Sequence, residues 1–233
     1  TNDRRQRQMC IRDRYDRYHT EQGGRETMGG TDLSDVKLPC GGVIPVVEKA
    51  VYLGTTLSRE GTCNKDVDSR VNKAAAAFGK LSPLVFKNKD ISKNAKKVAY
   101  ISIAVSILLY GCELWALTAA GRRKLRAFHH RCVRSICGVN MWHVQHHEIS
   151  NVEILKRASL MSIGTYMARR RLRWIGHVSR MSWDRVPRKL LSSWVYQGRP
   201  RGRPCMRWAE SIEIDLKLAG IPISKWAERA EDK

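Results

Sequence analysis

A mainly α-helical fold, opened by one short β-hairpin, is what this sequence predicts. Three observations predict it. Apolar residues recur at helical spacing over most of the chain after Gly61, β-branched residues crowd two short runs just before it, and Ser, Thr and Gly stand where helices would begin and end. Together they describe a hairpin leading into a helical bundle and then a basic helical region.

Residues 1–42 are polar, glycine-spotted and without period, which predicts a disordered lead-in. Within them residues 9–14 (MCIRDR) resemble the translation of a sequencing-library adapter and are given no role. Residues 43–47 (VIPVV) and 51–57 (VYLGTTL) read as the two strands of the hairpin, joined through 48–50. Pro45 has no N–H for a ladder, so the first strand is expected at an edge.

Thr62 is positioned to cap a first helix, on which Val67, Val71, Ala74, Phe78 and Leu81 form one apolar stripe and after which Pro83 stops the chain. Ser92 caps a second, carrying Val98, Ile101, Ile103, Val105, Leu108 and Leu109, apolar enough all round to lie mid-fold. The apolar window 98–117 is broken by Gly111 and Glu113, which favours a buried helix over a membrane span. Thr118 opens a third helix, with Leu125, Phe128, Cys132, Val133 and Ile136 inward and Gly138 as a left-handed stop. Ser150 with Glu153 makes a capping-box pattern, so a fourth helix is expected from there through Ile154, Leu160 and Met167 toward Trp174. Residues 198–204 must be loop, and 206–219 form a last amphipathic helix stopped by Gly220, with Ser224 capping a terminal turn.

With 233 residues and 42% hydrophobic content the chain is long enough to bury a core, yet its formal charge is +21 and its pI about 10.1. Self-repulsion on that scale calls for a polyanionic partner. The charge concentrates in residues 167–206, where Arg169, Arg170, Arg171, Arg173, Arg199, Arg201 and Arg203 are interleaved with Trp174, Trp183, Trp194 and Tyr196, and Asp184 is the lone acid. Guanidinium forks hold phosphates and flat rings take base faces, so the strip points to RNA, DNA or their hybrid. Arg169, Arg170, Arg171, Arg173, Arg199, Arg201 and Arg203 are the expected phosphate contacts and Trp174 the expected stacking ring. If about six phosphates of a duplex are neutralised, log affinity should fall against log salt with a slope near −5. A membrane surface fits less well, because Pro187, Pro200 and Pro204 interrupt any amphipathic helix. The run 200–204 (PRGRP) also matches the core of an AT-hook; its plain alternative is a stiff turn.

The chemistry of catalysis is not found. Asp66 and Asp68, two apart on a helix, diverge and cannot share metal ions. Cys132, Cys137, His143 and His146 have a spacing that could in principle gather zinc, but the two thiols point to different sides of their helix, so buried free cysteine and a wet histidine loop are the reading. A metal-dependent nuclease built on His143, His146, His147 and Glu148 lacks a nucleophile, base and stabiliser set. The cysteines (Cys10, Cys40, Cys63, Cys112, Cys132, Cys137 and Cys205) are odd in number and follow no secretory leader, so a reducing intracellular setting is expected.

Several stretches together resemble a known family. Residues 52–54 (YLG), the helix at 70–78, 108–115 (LLYGCELW), 131–138 (RCVRSICG), 170–178 (RRLRWIGHV) and 202–204 (GRP) ahead of Arg207 and Trp208 run in the order found in the C-terminal part of the endonuclease and reverse transcriptase polyprotein of non-LTR (LINE-type) retrotransposons. The resemblance implies that residues 43–140 are the end of a polymerase palm followed by a helical, thumb-like domain. Residues 141–233 would be a basic linker and C-terminal nucleic-acid-binding region. It also implies that fingers, the palm strand with its metal-binding aspartates, and the endonuclease lie upstream. The chain would then be no enzyme on its own and carry no cofactor, with divalent metal belonging to the full polymerase and residence in nucleus and cytoplasm. The alternative is a free-standing nucleic-acid-binding protein derived from such an element.

Overall fold

The computed structural model describes residues 36–37, 43–44, 46–59, 61–146, 148–192 and 208–231. They form two short β-ladders and a succession of helices, the mainly α fold with a leading hairpin that the sequence predicts. The chain divides into two compact units, one of residues from Lys49–Trp174 and Pro200–Asp215, the other from Thr1–Glu48, Ile175–Arg199 and Leu216–Lys233.

In the first unit the hairpin pairs strands Lys49–Tyr52 and Thr55–Ser58, antiparallel, with Tyr52 opposite Thr55. This corrects the predicted register, in which residues 51–57 were one strand. Leu53 (φ 47) and Gly54 (φ 79) are both left-handed, the two-residue turn whose twist matches a hairpin, so the chain reverses inside that run. Residues 43–44 pair instead with 36–37 in the second unit. In order, strands 36–37, 43–44, 49–52 and 55–58 are β1 to β4; the edge expectation for Pro45 lies outside the described residues.

Helix α1 (Asn64–Leu81) is the hub of the first unit, touching β4, α2 and α3. It begins on Cys63 without a side-chain cap, so Thr62 does not play the predicted role. Nor does Pro83 end it. The Ser82 amide takes the Gly79 carbonyl, and the chain widens into the π turn Ser82–Phe86, closed by Lys87 N–H to the Ser82 carbonyl at 2.8 Å. A widened turn lets the proline ring clear the preceding carbonyl, which an α-helix would not.

Helix α2 opens at Lys93–Ala99 with Ser92 accepting from the Ala95 amide, passes through a π segment at Tyr100–Val105 and finishes at Ser106–Leu108. Ser102 and Ser106 bond back to carbonyls a turn earlier, which loosens the ladder. Tyr100, Ala104, Val105 and Leu108 are buried, while Val98 and Ile103 are exposed, so α2 is amphipathic rather than enclosed all round.

Helix α3 (Ala119–Cys137) is capped as predicted, by Thr118 at its start and by left-handed Gly138 (φ 68) at its end. Phe78 stacks on Phe86 at 4.4 Å and Tyr100 meets both edge-on, joining α1, the π turn and α2. Tyr100 in turn bonds His129 of α3 at 2.8 Å.

The short helix α4 (Met141–His146) occupies what was expected to be loop. Ser150 caps α5 (Asn151–Arg157) through the Glu153 amide, as the capping box requires. The helix then stops early: Ser159 turns left-handed (φ 52), Leu160 N–H closes on the Leu155 carbonyl at 3.0 Å, and Ser159 N–H on the Lys156 carbonyl at 2.9 Å. Ser162 caps a separate helix α6 (Ile163–Ser179) by accepting from the Thr165 amide. One predicted helix is therefore two, with the break hidden because Leu160 and Ile163 keep the apolar pattern going.

The second unit contains β1, β2, the end of α6, helix α7 (Val186–Ser192), the end of α8 (Trp208–Leu218) and α9 (Trp226–Glu231). Gly220 (φ 67) stops α8 with Ile221 N–H on the Leu216 carbonyl, as predicted. Ser224 does not cap α9; it lies in the 3-10 turn Ile223–Lys225. Arg180 donates to the Ala230 carbonyl, and Arg188 lies 4.5 Å over the Trp183 ring. Among the described residues no helix is long and apolar enough to cross a membrane.

Candidate nucleic-acid interface

The rotation of α6 about its axis is set by Ile163, Met167 and Ala168, all buried. Residues three or four further on fall on the same face, and Arg171 is one of them. It is 7% exposed, and its guanidinium grips Asp215 of α8 with both prongs, at 2.6 and 3.0 Å, while a third nitrogen reaches the Trp115 carbonyl at 3.5 Å. Asp215 is itself 2% exposed. A planar fork filled by a carboxylate has nothing left for a phosphate. Arg171 is thus a correction to the expected set: it ties α6 to α8 within the first unit.

Arg170 is half-buried and donates to the Leu109 carbonyl at 3.1 Å, bracing the end of α2. Arg169 and Arg173, one turn apart, are exposed on the same side. Arg169 touches the Met161 sulfur, at 3.8 Å. Trp174 is half-buried and meets Trp208 edge-on at 5.7 Å, and Trp208 donates to the Glu113 carbonyl at 2.7 Å. The structure therefore keeps Arg169 and Arg173 for solvent, assigns Arg170 and Arg171 to packing, and covers part of Trp174. Arg199, Arg201, Arg203 and the 200–204 motif lie outside the described residues.

The zinc spacing does not assemble. Cys132 is buried beside Tyr100, and burial pushes its thiol up to about 12, far from the thiolate a metal needs. The Cys137 sulfur faces the Ile154 carbonyl at 3.8 Å, His143 bonds Asn140, and His146 stacks on Trp142 at 4.2 Å. No cluster of three or more His, Cys, Asp or Glu suited to a metal occurs among the described residues.

One node was missed by sequence reasoning. Asp66, on the inner face of α1, is 1% exposed and accepts the Thr56 amide and the Trp115 indole N–H, each at 2.9 Å. Arg70, one turn on, pairs with it at 3.7 Å, donates to the Gly54 carbonyl, and lies 4.2 Å over the Tyr110 ring. Tyr110 donates to the Leu53 carbonyl at 2.9 Å. Gly111 (φ 72) sits in left-handed backbone, and a Cβ there would stand a tight 3.1 Å from Thr55 Oγ1. The hairpin turn is thereby clamped to α1 and to the segment after α2. Asp68 faces away to Lys124 at 2.6 Å, so the two carboxylates do diverge and do not fit a two-metal site. The i,i+4 pairing of Asp66 with Arg70 was the available signal, and it reads equally well as a solvated pair.

Three of the stretches that carried the family resemblance, 52–54, the helix at 70–78 and 108–115, meet at this node. Over 195 residues the chain is 27% identical to an uncharacterized transposon-derived protein of Caenorhabditis elegans, covering 80% of this chain and 68% of that one. The chain is thus similar to a transposon-derived protein. No family model and no solved structure matches it.

Proposed function

We propose that this transposon-related chain is the nucleic-acid-holding part of a non-LTR retrotransposon reverse transcriptase. Its own residues position template RNA, target DNA or their hybrid while a palm encoded upstream carries out synthesis. The observation that carries the reading is the convergence of the 52–54, 70–78 and 108–115 stretches on one clamp that fixes the hairpin turn against the helices. Residues far apart in sequence meet there in a single hydrogen-bonded unit, which a chance scatter of short motifs has no reason to do. The exposed pair Arg169 and Arg173 supplies phosphate contacts, with Arg199, Arg201 and Arg203 following in the chain. Asp66 is committed to the clamp and Asp68 to Lys124, so neither is offered to a polymerase metal ion, and the reading assigns the metal-binding carboxylates to a separate palm. The free thiols of Cys63, Cys112, Cys132 and Cys137 suit a reducing intracellular setting.

The test is titration of an RNA–DNA hybrid at several salt concentrations with the full chain and with Arg169→Ala/Arg173→Ala. Binding should be tight at low salt, and the variant's salt slope should be shallower by about 2. A chain that ignores the hybrid at low salt overturns the reading.

A further inference from the structure

Helix α3 carries Arg122, Arg123, Lys124, Arg126, Arg131 and Arg134 together with two histidines, and no Asp or Glu anywhere in Ala119–Cys137. Its rotation is settled by Leu125, Phe128, His129, Cys132 and Val133, which are buried. The basic residues are therefore driven outward: Arg123 and Arg126 are exposed, and His130 and Arg134 half-exposed. Arg126, His130 and Arg134 stand one turn apart in a single row, which sets a guanidinium on either side of the imidazole.

Little offsets that charge. Lys124 meets a carboxylate, Asp68 at 2.6 Å, and the Arg134 guanidinium meets the neutral amide of Asn151 at 3.4 Å. Arg123 and Arg126 have no hydrogen-bond or ion-pair partner among the described residues. His130 registers the field, its pKa lowered by burial and then by Arg134 and Arg126. A neutral imidazole between two guanidinium groups can donate to, or accept a proton alongside, an anion that bridges them.

We propose that the outward face of α3, built on Arg123, Arg126, His130 and Arg134, is a second grip on a nucleic-acid phosphate backbone, distinct from Arg169 and Arg173. This rests on the reading that the chain holds nucleic acid. From residue 123 to 134 the face is about 16 Å long at helical rise, which spans about five phosphates of a duplex strand. Contacts of this kind position a strand and carry no sequence preference. An anionic membrane is the poorer partner, because a helix lying on lipid must offer its apolar stripe, and that of α3 is buried in the core.

The experiment compares the full chain with Arg123→Gln/Arg126→Gln, and with Arg123→Glu/Arg126→Glu, against the RNA–DNA hybrid and against vesicles containing phosphatidylserine. Because both positions are exposed, unchanged thermal unfolding serves as the folding control. Expected is a loss of affinity of about tenfold or more for the Gln pair, a salt slope shallower by about 2, and a larger loss for the Glu pair. If the full chain binds the hybrid and both variants match it, the α3 grip is overturned while the reading of the chain stands. If the full chain does not bind the hybrid, both fall. Binding to vesicles but not to the hybrid overturns the nucleic-acid assignment of this face.

Discussion

Removing Arg171 should destabilise the fold and only secondarily weaken any binding. Arg171 and Asp215 are 7% and 2% exposed, and their charged groups are joined by bonds of 2.6 and 3.0 Å. Breaking a buried pair from one side costs about 3–5 kcal/mol, because the surviving charge keeps its desolvation penalty and loses its partner. With roughly 2–4 °C of Tm per kcal/mol for a chain of this size, Arg171→Ala should melt about 6–20 °C lower. The deficit should depend on pH. Burial raises the Asp215 pKa and Arg171 lowers it, so without Arg171 the raising cause stands alone. A carboxyl whose folded pKa lies above its unfolded one binds more protons when folded, so stability is recovered as pH falls. The gap to the parent chain should therefore narrow from pH 7 to pH 5. The double variant Arg171→Met/Asp215→Leu should regain most of the loss, since a shape-matched apolar pair leaves no orphaned charge. Calorimetry or circular dichroism melting at both pH values measures all three. A Tm for Arg171→Ala within about 2 °C of the parent at pH 7 would refute the structural role and return Arg171 to the phosphate-binding set.

His129 is fully buried, accepts from Tyr100, faces the Met161 carbonyl, and has its pKa lowered to about 4, chiefly by burial. Its depressed folded pKa means the unfolded chain binds the extra proton. Stability present above about pH 6.5 should accordingly drain away toward pH 4, by at most about 3 kcal/mol from this group; urea midpoints across that range should slope, and those of His129→Gln should slope less. Asp66→Asn should cost about 3 kcal/mol by turning an acceptor of the Thr56 amide and Trp115 indole into a partial donor, with a shift in Trp115 fluorescence as the local readout. Gly111→Ala forces a side chain into left-handed backbone 3.1 Å from Thr55 Oγ1 and should lower stability by about 1–2 kcal/mol; Thr55→Ala in that background should return only the steric share, and full recovery would contradict the backbone argument.

Local chemistry carried much of this fold in the open. Ser92, Thr118 and Ser150 cap their helices because a hydroxyl two or three residues ahead of an orphan amide needs no tertiary help, and Gly138 and Gly220 stop theirs because no other residue enters the left-handed region at so little cost. Where a local signal failed, a neighbour had outweighed it. The run 51–57 reads as one strand until the clamp from Arg70 and Tyr110 holds Leu53 and Gly54 in a turn. The helix expected from 150 to 174 breaks at Ser159, a residue that seldom enters left-handed backbone, because the capping groups of two helices meet there.

The amino-acid sequence by itself determined that the chain is mainly helical, where most helices start and stop, and that it carries a large excess of basic residues. Only the tertiary structure decided which arginines packing leaves exposed. Four in a five-residue stretch of one helix encircle it, so packing must take some of them: Arg171 went to Asp215 and Arg170 to the Leu109 carbonyl, leaving Arg169 and Arg173 outside. Charge can be counted along a chain, but whether a guanidinium meets water or a carboxylate depends on a residue 44 positions away, and that distance closes only when the core forms.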